Sequence, residues 1–247
     1  MRSKMGLNLT RNYSYNFGPT KRAKKLIKFI ILHYTGMRKE AEAIKKLCDY
    51  NSKVSSHYFI KNNGQILNLV PDLYEAWHAG KSKWKKFDSL NKYSIGIEIN
   101  NPGHEFGYNT FNSKQINSLK KILSFLIQKY NIKLDNVLGH SDIAPDRKKD
   151  PGEKFPWEKL AKKSLCKWHT MNKKKIKKFR GITVSDKEKK NFLNNLSKIG
   201  YNIKITKIFD KNIRSIITAY QRRYRQELIN GKIDKECLII SKNLIKS

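Results

Sequence analysis

The run "KFIILHYTG", Lys28 to Gly36, carries four consecutive apolar residues, Phe29 to Leu32, and then stops at Thr35-Gly36. A stretch this short, β-branched and aromatic, reads as a buried strand rather than a helix, with His33 near its C-terminal end. It is too short and too far inside the chain for a signal-peptide core, and no transmembrane run is visible elsewhere. Working outward, "RKEAEAIKKLCDYN" reads as a helix with Ala43, Ile44, Leu47 and Cys48 on one side. "SSHYFIKNNGQILNLVP" reads as two strands around Asn63-Gly64, residues that tolerate positive φ. "AWHAGKSKWKKFDSLN" looks like a loop. "YSIGIEINN" alternates, with Ile95, Ile97 and Ile99 on one face and Gly96, Glu98 and Asn100 on the other.

A long helix follows, capped by Asn112 with Gln115 three residues on, and striped by Ile116, Leu119, Leu123, Leu126, Ile127 and Tyr130. "NVLGH" reads as a short buried strand ending at His140. "PWEKLAKKSLCKW" starts a helix with Pro156 in its first turn. Strands alternate with helices, so the expected fold is an α/β sandwich around one sheet.

Composition then shifts. "HTMNKKKIKKFRG", within 169–184, reads as a basic, core-poor linker. Residues 185–247 read as a small three-helix domain. It opens on the capping box Ser185 and Glu188, continues through Ile213, Ile216, Ile217, Tyr220 and Tyr224, and ends in a short helix capped by Asp234. The run Arg222, Arg223, Arg225 reads as a solvated face. Expected boundaries are an N-terminal extension over 1–27, a catalytic domain over 28–168, the linker, and this helical domain.

The chain has 247 residues and a formal charge of +33, from 53 Lys+Arg against 20 Asp+Glu. Such a balance favours anionic partners, whether nucleic acid, acidic lipid or cell-wall polymer, although Lys-, Asn- and Ile-rich codon drift accounts for it equally well. No nucleic-acid motif accompanies the charge, so no specific nucleic-acid partner is expected. Three scattered cysteines, Cys48, Cys166 and Cys237, fit buried free thiols and exclude a Cys-based zinc site or disulfide framework.

"GHSDIAPDRKKDPG", Gly139 to Gly152, has two readings when taken alone: a charged loop or half of a metal site. Catalytic zinc takes three protein ligands, often two His and a carboxylate. His33 and His140 both close apolar strands, at the C-terminal strand ends that line the crevice where α/β sites are built. Asp150 follows across a segment restricted by Pro145 and Pro151. Asp142 and Asp146 read as loop-shaping residues, with Asp142 also a candidate acceptor behind a ligand His. His57 reads as packing near the site or satisfying a backbone group. His104 and His169 belong to no motif.

In order, "FIILHYTG", "VSSHYFIKNNGQI", "AWHAGKS", "SIGIEINN" and "GHSDIAPDRKKDPG" resemble the zinc-dependent N-acetylmuramoyl-L-alanine amidases of the peptidoglycan-recognition-protein type, over roughly Lys28 to Leu160. The resemblance implies a central mixed β-sheet flanked by helices and one Zn²⁺ held by His33, His140 and Asp150. It implies Glu98 as the water-activating base and Lys148 as the group that meets the developing oxyanion. Trp77, His78 and Tyr34 are candidates to line the substrate groove. The substrate implied is peptidoglycan or (anhydro-)muropeptide, cut between N-acetylmuramic acid and L-alanine. The alternative is a non-catalytic peptidoglycan receptor on the same fold. The C-terminal helices resemble small peptidoglycan-binding domains, with Tyr220 where Phe is usual. Location stays open: the helical domain points to the envelope, the lack of a signal core to the cytosol. Oligomeric state is not legible.

Overall fold

Phe29–Tyr34 is the strand expected, and it lies near one edge of a six-stranded sheet. The structure, a computed structural model, describes residues 9–203 and 211–246; 1–8, 204–210 and 247 lie outside the described residues, and with them part of the N-terminal extension and Asp210 before the penultimate helix. The strands are β1 (Leu9–Arg11), β2 (Phe29–Tyr34), β3 (Tyr58–Ile60), β4 (Ile66–Asn68), β5 (Ser94–Ile99) and β6 (Val137–Gly139), in spatial order β1-β4-β3-β5-β2-β6. β3, β5, β2 and β6 are parallel; β4 returns antiparallel to β3, and β1 pairs parallel with β4. The sheet is therefore mixed. The β3–β4 hairpin turns where Asn63-Gly64 predicts, with Gly64 at φ 85°, a conformation that costs little without a Cβ.

Eight α-helices are described: α1 (Glu40–Cys48), α2 (Ser113–Tyr130), α3 (His140–Ile143), α4 (Trp157–Ala161), α5 (Lys173–Lys177), α6 (Asp186–Ile199), α7 (Lys211–Tyr224) and α8 (Lys235–Lys246). None is long and apolar enough to cross a membrane. Asn112 and Gln115 form the expected capping box on α2, and Ser185 and Glu188 form one on α6. Asp234 accepts the Cys237 N–H at 2.9 Å at the start of α8.

Strand alternation divides the core. Ile30 and Leu32 of β2 and Ile95, Ile97 and Ile99 of β5 face Leu119, Leu123 and Leu126 of α2. On the opposite face, Phe29, Ile31 and Leu138 share a cluster with Phe192, Leu196, Ile217 and Tyr220 of the C-terminal helices. Phe59 and Leu67 pack with Ala43 and Leu47 of α1. Burying side chains of this size is worth ~1.5–3 kcal/mol each, so the C-terminal helices are the second covering layer of the sheet. Between the two clusters β5 turns only Ser94, Gly96 and Glu98 to this face, which leaves a trough.

Three local expectations are corrected. The segment read as a linker folds: α5 lies within it, and Ile176, Val184 and His169 are buried. The "AWHAGKSKWKKFDSLN" loop holds a two-residue hairpin, Lys83–Trp84 against Phe87–Asp88, and its Ala76 pairs in a ribbon with Phe17–Gly18. Arg222, Arg223 and Arg225 are buried rather than solvated. Their partners are Glu153, Asp142 and Asp234, carboxylates that local pattern cannot supply. The three cysteines are free thiols, as expected, with Cys166 and Cys237 buried but Cys48 only half-buried.

Candidate active site

The register of β2 against β5 pairs His33 with Glu98, so both side chains leave the sheet on the trough face. β6 pairs Gly139 with Leu32, which sets the next residue, His140, beside His33. The strand ends at Gly139, and His140 opens the one-turn helix α3 instead of closing the strand. Asp142 causes this switch. Its Oδ2 accepts the Gly139 N–H at 2.8 Å, and its Oδ1 accepts the Tyr201 hydroxyl at 2.7 Å. Asp142 thus shapes the loop and is not the acceptor behind a ligand His. Asp150 returns to the same place because the Ser141 N–H donates to the Asp150 carbonyl at 2.9 Å, while Lys148 N–H closes the loop on the Ala144 carbonyl at 3.0 Å. A Cβ at Gly139 would lie 2.7 Å from Pro151 Cδ, so only glycine admits this return.

His33 Nδ1, His140 Nδ1 and Asp150 Oδ2 meet as a triangle with edges of 2.9, 3.0 and 3.1 Å. All three residues are buried. His140 Nε2 lies 3.2 Å from the Ala79 carbonyl. That oxygen can only accept, so Nε2 carries the proton and Nδ1 presents a lone pair to the centre. His33 Nε2 faces His78 Nδ1 at 3.1 Å. Two imidazoles, each with an outer partner, and one carboxylate suit a zinc ion with an open position. Burial, then the neighbouring His140, lowers the His33 pKa to about 4, which keeps the imidazole neutral as a ligand must be.

The triangle forms one wall of a cavity of about 350 Å³. Glu98 and Lys148 line it, and so do Tyr34, Trp77 and His78. The structure thereby gathers all eight residues singled out in the sequence around one space. Glu98 Oε2 is enclosed and hydrogen-bonds to no group among the described residues. Burial and the Asp150 charge raise its pKa well above the carboxylate range, against the pull of Lys148 and Lys46. Such a carboxylate is poised to take up a proton.

Two further features went unread, while a third residue, His57, behaves as expected. His104 lines the cavity, with Nδ1 at 2.9 Å from the Tyr34 hydroxyl and Nε2 at 3.0 Å from Glu153. Its only sequence signal is a lone His in a turn. Lys46, Arg147 and Lys149 add positive charge to the rim, hidden in the sequence by the abundance of lysine. His57 is satisfied by backbone: its Nδ1 accepts the Gly96 N–H at 3.0 Å, and its Nε2 lies 3.0 Å from the Tyr74 carbonyl.

Comparison with known proteins agrees with this geometry. AmiD of Escherichia coli, an N-acetylmuramoyl-L-alanine amidase, is 33% identical over 232 residues, 89% of this chain and 83% of its own length. AmpD of Haemophilus influenzae, a 1,6-anhydro-N-acetylmuramyl-L-alanine amidase, is 36% identical over 111 residues, 44% of this chain and 58% of its own. Among solved structures, AmiD bound to the substrate anhydro-N-acetylmuramic acid-L-Ala-D-γ-Glu-L-Lys superimposes with a TM-score of 0.78, covering 93% of this chain and 91% of that one at 33% identity. AmpDh3 of Pseudomonas aeruginosa also gives 0.78, covering 95% and 98% at 31% identity. Residues 22–153 match the family model described as N-acetylmuramoyl-L-alanine amidase, and with that match and the similarity to AmiD the chain belongs to the N-acetylmuramoyl-L-alanine amidase family.

Proposed function

We propose that the protein is a zinc amidase that hydrolyses the bond between the lactyl group of N-acetylmuramic acid and L-alanine, in muropeptides of the kind bound to AmiD. The observation that carries this reading is the convergence of His33 Nδ1, His140 Nδ1 and Asp150 Oδ2 in a cavity that also holds Glu98 and Lys148. These three residues would hold a zinc ion, which when bound would supply a water of pKa lowered toward ~7 and a Lewis acid for the carbonyl. Glu98, with its raised proton affinity, takes the proton of the attacking water and returns it to the leaving alanine amine. Lys148 supplies a fixed positive charge where the carbonyl oxygen turns negative. Asp150 neutralises part of the ion's charge and, through the Ser141 N–H, is tied to the turn that carries His140. A receptor reading calls for a defective ligand set, and all three donors are present here.

The test is incubation of the zinc-loaded full chain with anhydro-N-acetylmuramyl tetrapeptide, with release of the free peptide followed by chromatography and mass spectrometry. Release is expected from the wild type and lost in Glu98→Gln. Absence of release from folded, zinc-loaded wild type refutes the reading.

A further inference from the structure

We propose that His78 and Ser94 are positioning residues for the metal centre. They form a one-way hydrogen-bond relay from the Leu90 carbonyl that fixes the tautomer of His33 and leaves its Nδ1 as a bare lone pair. This rests on the zinc reading above.

The direction of the relay follows from counting protons. Ser94 Oγ lies 2.6 Å from the Leu90 carbonyl, which has no hydrogen, so the single Ser94 hydroxyl proton points there. Toward His78 Nε2, 3.2 Å away, Ser94 can then only accept, so that nitrogen carries a proton. A singly protonated His78 ring presents its Nδ1 as an acceptor, 3.1 Å from His33 Nε2. The His33 proton therefore sits on Nε2, and Nδ1 faces His140 Nδ1 and Asp150 Oδ2 unprotonated. The opposite sense would turn the Ser94 proton away from Leu90 and leave two buried acceptor oxygens 2.6 Å apart.

The relay is held rigidly. The backbone N–H groups of His78 and Ala79 both donate to Asn91 Oδ1, at 3.1 and 2.7 Å. The His78 ring lies flat on β5 at Gly96, where a Cβ would come within 2.4 Å of the ring. The next residue does the same work for the other histidine, since the Ala79 carbonyl receives the His140 Nε2 proton. One dipeptide, His78-Ala79, thus sets both imidazole tautomers, the first through a side chain and the second through its backbone. Outer partners of this kind contribute roughly 10- to 100-fold to metal affinity.

The full chain should be compared with His78→Leu, His78→Gln and Ser94→Ala in a zinc competition against a chromogenic chelator. Thermal unfolding of the metal-free proteins serves as the check of folding. His78→Leu, which removes the acceptor, is expected to weaken zinc binding ~10- to 100-fold. His78→Gln keeps both an acceptor for His33 and a donor for Ser94 and should stay within about threefold of wild type. Ser94→Ala should fall between the two. Histidine ¹⁵N NMR of the zinc-loaded wild type supplies a readout that needs no variant to fold: His78 should carry its proton on Nε2. A proton on Nδ1, or His78→Leu binding zinc as tightly as wild type, overturns the relay while leaving the amidase reading intact. A folded wild type that takes up no zinc overturns the metal reading and the relay with it.

Discussion

Substituting Arg223 by Met tests how the C-terminal helices are joined to the metal-binding turn. The Arg223 and Asp142 side chains are 2% and 1% exposed, and Arg223 Nη1 donates to Asp142 Oδ2 at 2.5 Å. Arg223 Nη2 also donates to the Val137 carbonyl at 3.0 Å, and the guanidinium lies 4.1 Å from the Trp157 ring centroid. A charged hydrogen bond is worth ~1.5–3 kcal/mol, and removing one partner of a buried pair typically costs ~3–5 kcal/mol, because the other charge stays behind unpaired. Asp142 keeps the Gly139 N–H and the Tyr201 hydroxyl, while the Met chain preserves much of the packing on Trp157. We therefore expect a loss of ~3–4 kcal/mol for Arg223→Met, from the lower half of that range. At 1.4 kcal/mol per decade this is roughly a 100- to 1,000-fold rise in the unfolding constant. Urea unfolding of the full chain, followed by tryptophan fluorescence and circular dichroism, measures it. Adding Asp142→Asn to Arg223→Met removes the stranded charge, so the double variant should regain at least ~1 kcal/mol relative to additivity. A loss below ~1 kcal/mol with additive effects would show that the pair does not join the two parts and would refute the argument.

The remaining predictions concern catalysis, metal and pH. Lys148→Ala should lower kcat by about 100- to 1,000-fold with little change in unfolding midpoint; an unchanged kcat removes its proposed role. Zinc at a thousandfold excess over its Kd should stabilise the chelator-treated protein by ~4 kcal/mol, seen as a higher Tm, and His140→Ala should abolish that gain. Asp72 accepts from the Tyr58 and Tyr130 hydroxyls, each at 2.6 Å, and from Lys129 at 2.7 Å. Burial pushes the Asp72 carboxyl up, but these hydrogen bonds and the Lys129 charge hold it below its ordinary 3.8. A folded-state pKa below the unfolded one gives stability that is complete above the unfolded value and is lost as pH falls through the folded value. Wild type should therefore lose stability below about pH 4 more steeply than Asp72→Asn; parallel urea midpoints between pH 5 and pH 3 would contradict this.

How much of this was legible depended on the distance over which each signal acts. Period-2 alternation in "SIGIEINN" separates Ile95, Ile97 and Ile99 from Glu98 within six residues, and the structure keeps that division. The Asn112 and Ser185 boxes act over three residues and form as read. His140 was read one element too early, because the turn that begins there depends on Asp142, and Asp142 is anchored by Arg223, 81 residues further on. The arginine run was read as solvated for the same reason: Arg225 meets Asp234, but Arg223 and Arg222 meet Asp142 and Glu153, which lie far upstream, before the C-terminal helices begin. His104 gained its place only when the fold brought Tyr34 and Glu153 to its two nitrogens. Composition misjudged 169–184, since one buried isoleucine, Ile176, is enough to seat a lysine-rich turn of helix.

The shared core of the sheet and the C-terminal helices has a practical corollary for protein engineering. A chain cut after residue 168 would leave Phe29, Ile31 and Leu138 facing water on an open sheet, an adhesive surface that invites association. The helical part cannot be exchanged like a cassette for a wall-targeting unit, as a tethered module could be. A chimera would have to graft new helices onto these three side chains and provide Asp142 with a substitute for Arg223.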